Sequence, residues 1–195
     1  MELNDERLIP ASIQTTWEAL NDPLILKDCI PGCESLERTG EDAFAAVVAM
    51  KIGPVSARFK GVLKIGNMQP PRSYTINFDG QGGVAGFGRG SADVVLTEDG
   101  ANTRLQYSVR AQVGGKLAQI GSRLIDAAAG KLSQDFFSAF EQRLQREGSA
   151  SGHAGDGPEN LAADEPVPQI RMRQSWLVWL AGAAALLAAG YWVIR

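Results

Sequence analysis

Leu105 to Leu144, LQYSVRAQVGGKLAQIGSRLIDAAAGKLSQDFFSAFEQRL, changes its hydrophobic period partway along. Up to Val113 the apolar residues alternate (Leu105, Tyr107, Val109, Ala111, Val113), as on a strand with one wet face. After Gly114-Gly115 they recur at three and four positions: Leu117, Ile120, Leu124, Ala128, Leu132, Phe136, Phe140 and Leu144. That spacing predicts one helix of roughly 30 residues carrying a single apolar stripe. A stripe so long has to be covered, and the residues upstream supply the cover.

Working back towards the N-terminus, Phe44, Ala46, Val48, Met50 and Ile52 alternate, then Val55, Ala57, Phe59, Gly61, Leu63 and Ile65. Gly53-Pro54 joins the two runs as a tight turn. Tyr74, Ile76 and Phe78 continue the pattern, as do Ala92, Val94 and Leu96, with turn signals at Gln69-Pro70-Pro71 and Glu98-Asp99-Gly100. Leu3–Ile9 reads as a first strand. Ser12 caps a helix with Ile13, Trp17 and Leu20 at helical spacing; Asp22-Pro23 opens a second, which Pro31-Gly32 ends. The predicted class is α+β: a curved antiparallel sheet of six to seven strands wrapped around one long helix.

A bent sheet and a straight helix do not match in shape, so a space between them is expected. In GQGGVAGFGRG (Gly80 to Gly90), Gly86, Gly88 and Gly90 precede Ala92, Val94 and Leu96 in the inward register. Side-chain volume is nearly absent there. Two readings stand: these glycines widen an interior lined by Phe44, Met50, Phe59, Tyr74, Phe78, Tyr107 and Leu124, or they mark a bulge or a close approach, with the aromatics as ordinary core. The Gly80, Gly82, Ala85 spacing resembles a dinucleotide fingerprint, but no helix opens after it to receive a phosphate.

Much chemistry is missing. The one histidine, His153, lies in a Gly/Ser/Pro-rich stretch without a fixed partner, so a His-dependent triad is excluded. Glu41-Asp42 and Glu98-Asp99 fall at turns, where solvated charge explains them. Cys29 and Cys33 make neither a secreted disulfide framework nor a four-ligand metal site, and their spacing is not that of the redox motif. No catalytic residue, metal or tightly bound cofactor is expected. The formal charge of −3, with basic residues scattered singly, lacks the footprint of a nucleic-acid binder.

Beyond residues 1–147, which form the predicted domain, residues 148–170 are Gly, Ala, Pro and acid with little to bury, the composition of a disordered linker. Residues 171–195 hold WLVWLAGAAALLAAGYWVI (Trp176 to Ile194), an uncharged run long enough for the ~30 Å hydrocarbon core of a bilayer. Trp176, Trp179, Tyr191 and Trp192 flank it at headgroup level, and Arg171 and Arg173 against Arg195 place its N-terminal side in the cytoplasm. The opening MELNDERLIP has no apolar run of signal-peptide length. The expectation is a single-pass inner-membrane protein with a cytoplasmic N-terminal domain.

The order of elements is that of the helix-grip, or START-like, superfamily. Within it the chain resembles the G-subunit family of carbon monoxide dehydrogenase through Trp17 with Asp22-Pro23, Cys29-Ile30-Pro31-Gly32-Cys33, Lys51-Ile52-Gly53-Pro54-Val55 running to Phe59 and Gly61, Gly114-Gly115-Lys116-Leu117-Ala118-Gln119-Ile120-Gly121-Ser122-Arg123, and Phe136-Phe137. The resemblance implies an accessory protein that recruits a molybdenum-containing carbon monoxide dehydrogenase or related hydroxylase to the cytoplasmic membrane, with an apolar cavity suited to a quinone-like lipid. Its alternative is a START-like enzyme or lipid carrier acting on another apolar small molecule, for which Tyr74 and Tyr107 are the inward polar groups. Pro31, Gly32, Gly53, Pro54, Gly115 and Lys116 are expected at partner or entrance loops, or as plain turns.

Overall fold

The computed structural model describes residues 1–151. Strand β1 (Glu2–Ile9) leads into helices α1 (Ile13–Leu20) and α2 (Pro23–Cys29). Six strands follow: β2 (Cys33–Arg38), β3 (Ala43–Ile52), β4 (Val55–Gln69), β5 (Ser73–Gln81), β6 (Phe87–Asp99) and β7 (Asn102–Gly114). The short helix α3 (Lys116–Gln119) and the long helix α4 (Ser122–Ser151) complete the fold. The linker and membrane segment expected over 148–170 and 171–195, including Trp176, Trp179, Tyr191 and Trp192, lie outside the described residues, apart from 148–151, which continue α4. Among the described residues no helix is long and apolar enough to cross a membrane.

All strands join one antiparallel sheet in the order β1-β7-β6-β5-β4-β3-β2. Neighbours in sequence are neighbours in space, except that β1 closes onto β7, with Leu3 opposite Val109 and Ile9 opposite Thr103. The alternation read from the sequence fixes the inner face, since a slip of one residue would turn every apolar side chain outward. β2 has no such signal. Its residues CESLER hold one large hydrophobe, Leu36, and it gains its place by pairing with β3 at the sheet edge.

The two early helices start where their caps predict. The Ser12 hydroxyl accepts from the Thr15 N–H at 3.2 Å and the Asp22 carboxylate from the Leu24 N–H at 2.8 Å, each satisfying an amide left free in a first helical turn. A buried hydroxyl chain fastens α1 to the sheet: Thr16 donates to Thr103 at 3.3 Å, and Thr103 donates to the Ala11 carbonyl at 2.8 Å. Around it Ile9, Trp17, Leu20, Leu96, Leu105, Phe140 and Leu144 form the main core.

The predicted single helix is two. Gly121 takes φ of +91°, a left-handed conformation costly for a residue with a Cβ, and it separates α3 from α4. The break resets the helical phase, so the stripe expected through Leu117, Ile120 and Leu124 does not continue as one line.

Candidate functional site

Between the inner face of the sheet, α2 and α4 lies a cavity of about 580 Å³, within the usual range for sites that enclose small molecules. Its shape follows from register. Ala46 pairs with Gly61, Gly61 with Gly80, Gly80 with Gly88, and Gly88 with Val113, so one cross-strand row has three adjacent positions without side chains. The row makes a trough in the sheet. Phe44, Leu63 and Phe78 stand in the next row, and Phe59 lies on the other side of the trough.

The glycine-rich stretch divides between the two readings given to it. A Cβ on Gly88 would meet nothing within 4 Å, and one on Gly61 or Gly80 would make only ordinary contacts at 3.5 Å, so these glycines do open the interior. Gly86 and Gly90 do not. A Cβ on Gly86 would fall 1.9 Å from the Gly114 carbonyl oxygen, and one on Gly90 would fall 2.0 Å from that of Arg110. Both are small because backbone approaches backbone.

Of the residues expected in the cavity, Phe44, Met50, Phe59, Tyr74, Phe78, Gly88 and Tyr107 line it. Leu124 does not: it is 51 % exposed and sits beside the Gly53 turn. Along α4 the cavity is lined by Ile125, Ala129, Leu132 and Phe136: Leu132 and Phe136 lie on the expected line, while Ile125 and Ala129 stand one position on from Leu124 and Ala128, because a row spaced four apart winds around a helix of about 3.6 residues per turn. Sequence reasoning also missed Leu36 from β2, and Leu26 and Ile30 from the second helix and its cap. The α2 residues carried a signal, since LILKDCI is too apolar for a short exposed helix.

The expected loop residues gather near one end of the sheet. The Gly32 carbonyl accepts from the Ala49 N–H at 2.9 Å, close to the exposed Gly53-Pro54 turn, with Pro31 half-buried beside it. Gly115 abuts Gly86, and Lys116 is exposed next to Leu117, which packs with Phe59, Ala85, Ile52 and Val55.

Polar groups are few. The Tyr107 and Ser133 hydroxyls are hydrogen-bonded, and Asp5, itself paired with Arg7 at 2.9 Å, lies 3.4 Å from the phenol oxygen. Burial pushes the Tyr107 phenol above its ordinary pKa, and that of Tyr74 further still. Cys29 and Cys33 are free thiols, and burial raises both, which lowers their thiolate fraction and their reactivity. Among the described residues no three His, Cys, Asp or Glu side chains stand together as a metal site would need.

A protein-family profile described as the G subunit of carbon monoxide dehydrogenase (CoxG) matches residues 6–145. A conserved protein from Geobacillus kaustophilus is similar at 32 % identity with a TM-score of 0.72, over 75 % of this chain and 97 % of that one. A START superfamily protein from Mycobacterium smegmatis shares the fold at 15 % identity and a TM-score of 0.59, over 75 % and 98 % of the two chains. So does the Zhui aromatase/cyclase of Streptomyces sp. R1128, at 15 % identity and 0.57, over 78 % and 98 %. Among curated proteins none matches.

Proposed function

The chain belongs to the G-subunit (CoxG) family of carbon monoxide dehydrogenase, and from that premise we propose that it is a membrane-anchored accessory protein holding a quinone-like lipid for an oxidoreductase of the carbon monoxide dehydrogenase type. The observation that carries the reading is the 580 Å³ cavity, whose wall is almost entirely aliphatic and aromatic. Apolar surface lining such a hollow is stabilised by an apolar ligand that takes it out of contact with water. Burial raises the phenols of both inward tyrosines, so at neutral pH neither transfers a proton readily, and the interior suits holding a molecule better than transforming it.

The uncharged run from Trp176 to Ile194 would hold the protein at the inner membrane, and the polar residues before it would let the domain range about 25 Å from the surface. Tethering raises the local concentration of both partners without a new contact. The quinone would then link the enzyme to the respiratory chain.

Solvent extraction of the full-length chain purified from membranes of cells making the oxidoreductase, followed by mass spectrometry, is expected to return a bound quinone. Affinity capture of the same chain is expected to co-purify the molybdenum enzyme. A protein free of lipid and free of an oxidoreductase partner overturns the reading. The enzyme alternative draws on the fold shared with an aromatase/cyclase; turnover of an apolar substrate that disappears in both Tyr74→Phe and Tyr107→Phe would favour it.

A further inference from the structure

Tyr74 stands in the inner row of β5, lines the cavity and is 5 % exposed. Its ring meets Trp17 edge to face, with centroids 5.4 Å apart and planes at 81°, so the phenol has a fixed position. A buried tyrosine hydroxyl ordinarily finds a hydrogen-bond partner. Among the described residues this one has none. Tyr107, two strands away in the same cross-strand row through Val94, shows the ordinary outcome in its bond with Ser133.

Nor is the Tyr74 hydroxyl sealed off. Among the described residues the side-chain nitrogens that are both unbonded and fully covered are Arg7 Nε and Arg143 Nε, and the Tyr74 oxygen is not among such atoms. It therefore keeps open space beside it, and for a side chain so shielded from outside, that space is the cavity.

Resting on the cavity reading above, we propose that the Tyr74 hydroxyl is the polar anchor of the site, donating a hydrogen bond to a carbonyl-type oxygen of an uncharged, otherwise apolar ligand. Each part of that class follows from the wall. Burial keeps the phenol protonated, so it offers a donor. No Lys, Arg or His side chain is among the described lining residues, and the cation that Met1 brings to the wall, its exposed N-terminal ammonium, donates to the Ala111 carbonyl at 2.8 Å, so a carboxylate held at Tyr74 would lack a counter-charge. A pure hydrocarbon would leave the hydroxyl unbonded. From the Gly88 trough to the Val94 row, β6 runs roughly 20 Å, room for a ring with its oxygen at Tyr74 and an alkyl substituent lying back over the glycines.

The test uses the full-length chain in lipid nanodiscs, wild type and Tyr74→Phe, titrated with 2-methyl-1,4-naphthoquinone and with 2-methylnaphthalene, the same ring system without carbonyls. Empty nanodiscs correct for partition into lipid. The quinone is expected to bind Tyr74→Phe about 3- to 10-fold more weakly than wild type, while the hydrocarbon binds the variant at least as tightly as wild type. The infrared carbonyl band of the quinone bound to wild type is expected at lower frequency than in Tyr74→Phe, and against the free quinone in hydrocarbon solvent the wild-type measurement stands even if the variant does not fold. Equal quinone affinities with an unshifted carbonyl band overturn the anchor and leave the cavity reading intact. Failure of wild type to bind either probe overturns the cavity reading, and the anchor with it.

Discussion

Gly88 and Gly90 lie on the same face of β6, and the spaces around them give them opposite tolerances. Gly90→Ala drives a methyl group to 2.0 Å from the Arg110 carbonyl oxygen and is expected to cost about 2–3 kcal/mol, read as a fall in denaturation midpoint. Gly88→Ala meets open space and is expected to stay within about 0.5 kcal/mol of wild type; equal losses at the two positions would contradict the close approach. Glu6 gives the pH dependence. Gln106 donates to its carboxylate at 2.7 Å and Arg104 also bonds it, holding its pKa below the usual carboxylate range. A folded value below the unfolded one means that its stabilisation is complete above about pH 4.3 and is lost as pH falls through the folded value. The stability difference between wild type and Glu6→Gln is expected to be largest near neutral pH and to shrink in acid unfolding series below pH 4; a constant difference would exclude the linkage. Because the group is exposed, the effect is small.

Helix α4 shows how an element's phase assigns its residues. Leu124 and Phe140 fall on one expected stripe, but a row spaced four apart drifts around a helix of about 3.6 residues per turn, by about 160° between these two, so Leu124 is half in solvent while Phe140 is fully buried in the core and stacked on Phe136 at 5.7 Å. Phe140→Ala is expected to cost about 3–5 kcal/mol and Leu124→Ala less than about 0.5, measured by chemical denaturation. Similar costs would mean that the helix is rotated from the phase described. Helix α2 acts at the same scale. The Asp22 cap fixes where it begins, and that start sets Leu26 and Ile30 over the cavity.

For the molecule as a whole, the proposed division of labour separates anchoring from ligand holding. Deleting residues 171–195 is expected to move the protein from the membrane pellet to the supernatant after gentle lysis while leaving quinone binding by the domain within about twofold, since no described lining residue is removed. A truncated chain that still sediments with membranes would require another membrane contact.

Periodicity alone determined the sheet, its inner face and the two capped helices, because alternation and cap chemistry are local and each is written in a few adjacent residues. Trp17 and Phe44, Phe59, Tyr74, Phe78 and Tyr107 were legible as interior for the same reason. Only the tertiary structure decided the rest. β2 exists because β3 offers it an edge, and the trough exists because register sets Gly61, Gly80 and Gly88 side by side from three separate strands. Gly86 and Gly88 look alike in sequence, and whether a glycine faces a void or a carbonyl depends on which distant backbone lies opposite, a property of pairing that no single segment contains.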